Sequence, residues 1–167
     1  MLYCNKKMNK YLKLYSKKYI DLRNCHYQTN LTEMRKTILD GDEYCIYLND
    51  HFFCFEEREI YRIDNNWLMS DLSEYEWEGN EWYITSEVFR HKAMMKAIHF
   101  VISLKRELQQ KYKDRKFTIV LIGGMSSNPF EESAQVRFYM NRPGCFEFPI
   151  EKIPGSNHQP MLAWKSN

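Results

Sequence analysis

Residues 85–124 constrain this chain more than any other stretch, because a long apolar helical stripe there runs directly into an unbroken apolar strand. Val88, Met94, Met95, Ile98, Val101, Ile102, Leu108 and Tyr112 recur at three- and four-residue steps. At about 100° per residue such steps place side chains on one continuous face. The pattern predicts a core-facing helix over residues 86–113. Thr85 and Ser86 are suited to cap its free N–H groups, Glu87 matches its positive end, and Lys111, Lys113, Arg115 and Lys116 match its negative end. Residues 117–122, Phe-Thr-Ile-Val-Leu-Ile, then read as a central strand closed by Gly123-Gly124. Burying the eight stripe residues contributes roughly 12–24 kcal/mol before chain entropy is subtracted, an upper bound. The remaining chain must supply a sheet that accepts this strand.

The preceding segments fit that requirement. Met8, Tyr11, Leu12, Tyr15, Tyr19 and Leu22 have helical spacing, with Lys7, Lys10, Lys13, Lys17 and Lys18 mostly on the other side, which predicts a basic amphipathic helix over residues 8–22. Asn30 or Thr32 is suited to cap a short helix over residues 33–39, stopped by Asp40-Gly41. From residue 43 to residue 63 the period changes to two: Tyr44, Ile46 and Leu48 alternate, Asn49-Asp50 offers a turn, and Phe53, Phe55 and Ile60 resume. This predicts a meander of two or three antiparallel strands. Trp67-Leu68-Met69 adds a short strand, and residues 71–80 read as an acidic loop before Trp82-Tyr83-Ile84 leads into the long helix.

Beyond the central strand, residues 134–140 alternate again, Asn141-Arg142-Pro143-Gly144 turns the chain, and Phe146 and Phe148 suggest a last strand. Residues 154–167 read as an irregular tail on which Leu162 and Trp164 dock. Together these elements predict an α+β fold in a single domain over residues 1–167, a mostly antiparallel sheet packed against the long helix and the N-terminal amphipathic helix.

Composition excludes several function classes. With 44% hydrophobic and 16% aromatic residues the chain is globular. Five cysteines without a C-x-x-C pair argue against a zinc ribbon or a thioredoxin-type site; Cys45 and Cys54, in strand-like runs, read as buried thiols of a reducing, cytoplasmic compartment. No run of 18 apolar residues occurs, so no membrane association is expected.

The net charge of +2 conceals a strong asymmetry. Residues 1–24 hold seven Lys or Arg against one acid, a balance of +6, whereas residues 40–81 hold thirteen acids against Arg58 and Arg62, a balance of −11. A block of that sign attracts a basic partner and repels nucleic acid.

Candidate chemistry is sparse. Gly123-Gly124-Met125-Ser126-Ser127 follows a strand, yet it lacks the Gly-Lys-Ser/Thr of a phosphate loop and the glycine that a nucleophile elbow needs where Asn128 stands. His91 and His99 are eight residues apart on the long helix, too far for one ion to bridge. His26 beside Cys25 and His51 beside Asp50 would be catalytic only if the fold gathered partners around them. Glu56, Glu57, Glu59, Asp64 and Asp71 suit Mg²⁺, but no lysine occurs between Thr37 and His91 to steady a phosphate. No catalytic, metal-binding or cofactor-binding residue is assigned, and the chain is expected not to be an enzyme and to need no cofactor.

The passage with most potential is Glu74-Tyr75-Glu76-Trp77-Glu78-Gly79-Asn80-Glu81-Trp82, where acids alternate with large aromatics. It reads either as a solvated edge with its rings folded inward or as a surface on which charge steers a basic partner and rings anchor it. On the second reading the partner-binding residues are Glu56, Glu57, Glu59, Asp71, Glu74, Tyr75, Glu76, Trp77 and Glu78.

The acidic strand meander, the Trp82-Tyr83-Ile84 lead-in to a long helix, the apolar strand ending in glycine, and Val136-Arg137-Phe138-Tyr139 followed by Arg142 together resemble immunity proteins of bacterial contact-dependent growth inhibition and related polymorphic toxin systems. The resemblance covers roughly residues 42–148. It implies a small cytoplasmic protein that binds and blocks the C-terminal domain of a cognate toxin, often a nuclease, with no nucleic-acid or membrane partner of its own. An inhibitor of a nuclease gains speed by presenting acids to the positive cleft that holds the nuclease's phosphates. Two other classes stay open: a small enzyme gathering His26 or His51 with a cysteine or carboxylates, and a nucleic-acid-binding module using the lysines of residues 6–18.

Overall fold

The computed structural model describes residues 1–22, 30–38, 41–49, 71–87, 92–124, 131–157 and 159–166. It is α+β. The elements in chain order are β1 (Leu2–Cys4), α1 (Lys6–Leu22), β2 (Asn30–Ile38), β3 (Gly41–Asn49), α2 (Leu72–Gly79), β4 (Glu81–Glu87), α3 (Lys92–Lys111), β5 (Phe117–Gly123), β6 (Glu131–Met140), a 3-10 turn (Ile150–Gly155) and β7 (Met161–Lys165). Five strands form one antiparallel sheet in the order β1-β7-β5-β6-β4, and β2 pairs with β3 separately. β4 and β5 run in the same direction on either side of β6, joined by the crossover helix α3.

The strand period of two splits the apolar side chains of the sheet between two cores. Phe117, Ile119 and Leu121 of β5, with Val136 and Phe138 of β6, pack under α3 and α1, against Phe100, Leu104, Leu108, Met8 and Tyr15. On the other face Val120, Tyr139 and Ala163 pack against Trp77, Ile150 and Ile153. The central position expected for residues 117–122 is the position β5 occupies, third of five. Gly123 closes that strand for a steric reason: a Cβ there would lie 2.6 Å from the Met94 sulfur of α3. Gly124 follows at φ +77, where glycine is unstrained.

Several expectations are corrected. Thr85 and Ser86 do not cap the long helix; they pair with Ser133 and Glu132 as part of β4. Trp82 and Ile84 face the helical core while Tyr83 and Thr85 are exposed, the alternation of a strand, and β6 gains its second neighbour from this pairing. Helix α3 starts at Lys92, and the Glu132 carboxylate accepts from the Met94 N–H at 3.5 Å. Met94, Met95, Ile98, Val101, Leu108 and Tyr112 are buried as the stripe requires, Phe100 and Leu104 are fully buried beside them, and Ile102 is exposed.

Residues 33–38, expected in a helix over 33–39, are strand: β2 runs through them to Ile38 and pairs along its whole length with β3, and Leu39 lies outside the described residues. A helix of seven residues is marginal alone, while β2 and β3 pair over nine residues and satisfy the facing backbone groups of both strands. Phe146 and Phe148 form no strand and lead instead into the 3-10 turn. The tail expected to be irregular contains β7, inserted between β1 and β5. The strands expected at residues 53–60 and 67–69 lie outside the described residues.

Candidate functional site

Residues 71–80, expected as a loop, form α2. Asp71 caps it: one carboxylate oxygen accepts from the Ser73 N–H at 2.8 Å and the Glu74 N–H at 2.9 Å, and the other from the Phe146 N–H at 2.7 Å. Ser73, Glu76, Trp77 and Asn80 then follow at the i, i+3, i+4, i+7 spacing of one helical face, and all four are buried.

That face finishes an incomplete strand. β5 accompanies β6 as far as Met140, but on the other side β4 stops at the pair Glu81–Arg137. The backbone groups of β6 left over are taken by α2 side chains. Asn80 Nδ2 donates to Phe138 O at 3.3 Å, Ser73 Oγ donates to Met140 O at 2.8 Å, and Glu76 Oε2 accepts from the Met140 N–H at 2.7 Å. Buried backbone groups need such partners. Placing a carboxylate in this role requires a compensating cation, and Arg142 supplies it with a two-pronged contact, Nη1 to Oε2 at 2.9 Å and Nη2 to Oε1 at 3.0 Å. The Glu76 side chain is fully buried and that of Arg142 is 8% exposed.

Trp77 is likewise turned inward. It stacks on Phe148 with centroids 4.9 Å apart, meets Tyr139 edge-on at 5.9 Å and lies 5.6 Å from Phe146. Burial pushes the Tyr139 hydroxyl above its ordinary pKa, and a hydrogen bond accepted from the Phe148 N–H at 2.9 Å opposes that shift only in part. Asp71, Glu76 and Trp77, expected on a partner-binding surface, are therefore structural: a cap, a strand surrogate and a core ring. Glu76 and Trp77 lie three and four residues after Ser73, which turns them under the helix with it, whereas the surface reading assumed a loop.

A polar cluster leads outward from Trp77. The Arg137 guanidinium stands 5.1 Å from the Trp77 ring and pairs with Glu78 at 3.2 Å and Glu81 at 2.6 Å. Gln135 donates to Glu81 and, at 3.0 Å, to the Tyr83 hydroxyl. The hydrogen bond between Tyr83 and Glu81 holds the phenol above its ordinary pKa, with partial burial adding to it. Tyr83 is half exposed, and the Glu78 side chain is 45% exposed. Glu74, on the outer side of α2, is half-buried. Tyr83 and Glu81 were not among the partner-binding residues expected from sequence. The signal was present in the strand alternation of Trp82-Tyr83-Ile84, obscured by assigning these residues to the start of a helix. Tyr75 lies on the α2 backbone, but its side chain, like Glu56, Glu57 and Glu59, is outside the described residues.

The fold places acid-rich α2 on one sheet face and lysine-rich α1 on the other. β3, which carries Asp42 and Glu43, lies against α2 and β6 on the acidic side. On the helical side, α1 and α3 expose Lys6, Lys7, Lys10, Lys13, Arg106 and Lys111, the last bonded to Glu107 at 2.8 Å.

The histidine and metal candidates are not assembled among the described residues. His99 shares a hydrogen bond with the buried Tyr15 hydroxyl at 2.9 Å, while His26, His51 and His91 lie outside the described residues. Among the described residues no group of three His, Cys, Asp or Glu could hold a metal ion, and no helix is long and apolar enough to cross a membrane. Comparison with family models, with characterised proteins and with solved structures gave no significant match.

Proposed function

We propose that this chain is a cytoplasmic immunity protein that binds a cognate bacterial toxin domain, a basic nuclease-type domain, and neutralises it without chemistry of its own. The docking surface is the outer side of α2 with the adjacent part of β4: Glu74, Glu78, Glu81 and Tyr83. The observation that carries this reading is the division of charge between the two sides of the sheet. Acid-rich α2 and β3 lie on one side, and the exposed lysines of α1 lie on the other. Complementary fields raise association rates by orders of magnitude at low salt, and an aromatic ring among the charges supplies the apolar anchor. Tyr83, half exposed beside Glu81, fits that role.

The test is charge reversal where the side chains are not structural. The Glu74→Lys, Glu78→Lys double variant, with and without Tyr83→Ala, is mixed with the toxin domain encoded by the neighbouring gene. The association rate should fall by about tenfold or more, lose much of its salt dependence, and take growth protection with it. Unchanged affinity and protection in a folded variant would remove this surface from the account. Failure of the wild-type chain to bind the neighbouring product would remove the function.

A further inference from the structure

Helices α1 and α2 lie against opposite faces of the five-stranded sheet, with Met8 and Tyr15 of α1 in one core and Trp77 of α2 in the other. Their outer sides point away from each other and carry opposite charge. In α1 six lysines stand against one acid, Asp21, whereas residues 71–81 hold five acids and neither lysine nor arginine.

Each patch is concentrated. Lys6, Lys10 and Lys13 are exposed at the i, i+4, i+7 positions of α1. At about 100° per residue they stand roughly 140–200° around the axis from buried Met8, in a stripe about 10 Å long. On the acidic side Glu74 and Glu78 are one turn apart on the outer side of α2, and Arg137 ties Glu78 to Glu81, with Nη1 3.2 Å from the first carboxylate and Nη2 2.6 Å from the second. One guanidinium between two carboxylates leaves an excess of negative charge. Tyr83, half exposed and hydrogen-bonded to Glu81, adds a ring at its edge.

The lysine stripe works against the helix that carries it. Like charges three and four residues apart repel, the first turn of α1 contains no acid, and lysines at a helix N-terminus oppose its dipole. A carboxylate surface laid along the stripe relieves all three. Within one copy the sheet separates that surface from the stripe, but a second copy can present it. Because the patches are on opposite faces, two copies cannot make both contacts at once, so the contact is head-to-tail and repeats.

We propose that a second copy of this chain docks Glu74, Glu78 and Glu81 on the Lys6, Lys10 and Lys13 stripe of α1, and that copies add in a row. Such a contact rests on charge and belongs with small, transient interfaces. Where Glu74 and Glu78 also receive a toxin, the two contacts exclude each other. The proposal does not depend on the toxin, which is absent from its test.

Analytical ultracentrifugation of the full chain over micromolar to millimolar concentrations tests it. Charges act over about 30 Å at about 0.01 M salt and over about 3 Å at about 1 M. At the lower salt the average mass should climb past that of a dimer as concentration rises, and at the higher salt it should return to that of the monomer. The Lys6→Gln, Lys10→Gln, Lys13→Gln variant and the Glu74→Gln, Glu78→Gln variant, each with an unchanged circular dichroism spectrum, should associate with themselves about tenfold more weakly or less. Mixed in equal amounts they should pair again, because one keeps the acids and the other the lysines, and stop at one-to-one. A wild-type chain that stays monomeric at low salt would overturn the proposal, as would association that persists at high salt. A mixture of the two variants that fails to pair would also overturn it. So would tighter binding of a short oligonucleotide or of anionic lipid vesicles through the same lysines, which would give the stripe a different occupant.

Discussion

Replacing Arg142 with methionine isolates the buried ion pair that completes β6. The methionine keeps most of the aliphatic stem, so little cavity opens, and the variant removes the charge and its hydrogen bonds. Glu76 loses two charge-assisted contacts, at 2.9 and 3.0 Å, while the hydrogen bond from the Met140 N–H at 2.7 Å stays. Each such contact contributes about 1.5–3 kcal/mol, and leaving a buried charge without its partner costs about 3–5 kcal/mol. That is a large share of the roughly 5–15 kcal/mol by which a folded domain is stable. The sharper expectation concerns a second substitution. Glu76→Gln removes the charge but retains an oxygen that can accept from Met140, so Arg142→Met with Glu76→Gln should be more stable than Arg142→Met alone, by about 1–3 kcal/mol. Urea unfolding followed by circular dichroism gives both quantities, provided the dependence on denaturant is unchanged. A cost below about 1 kcal/mol for Arg142→Met would place the pair among solvent-screened surface contacts. A double variant less stable than Arg142→Met would show that Glu76 is not a desolvated charge.

Two further perturbations probe other parts of the same frame. Asn5 is fully buried; its Oδ1 accepts from the Met8 N–H at 2.9 Å as the cap of α1 and from the Met161 N–H at 3.2 Å, and its Nδ2 donates to the carbonyls of Ser156 and Gln159. Asn5→Ala should lower stability by about 2–4 kcal/mol, the loss of a cap together with unpaired buried groups, and a thermal midpoint within error of wild type would contradict this. Tyr139, held above its ordinary pKa of 10.0 chiefly by burial, keeps its proton in the folded state after the unfolded chain has released it. Its contribution is complete below about pH 10 and is lost as pH rises through the raised folded value. The decline in urea midpoint above that pH should be shallower in Tyr139→Phe, and identical slopes would count against the burial.

Apolar patterning was enough to indicate the α+β class, the central strand over Phe117–Gly123 and both covering helices: three- and four-residue steps mark the helices, and an unbroken run rich in β-branched residues closed by glycine marks the strand. Charge balance likewise marked residues 40–81 as the acidic segment without reference to any contact. Tertiary structure decided where local signals compete. Residues 71–80 read as an acidic loop, and the end of β6 that β4 leaves without a partner is what the helix completes. The same contact turns Glu76 and Trp77 inward and leaves Glu74, Glu78 and Tyr83 facing solvent. A residue's type and spacing give its preference for a face, but which face meets water depends on what the rest of the chain brings against it, here a strand one neighbour short.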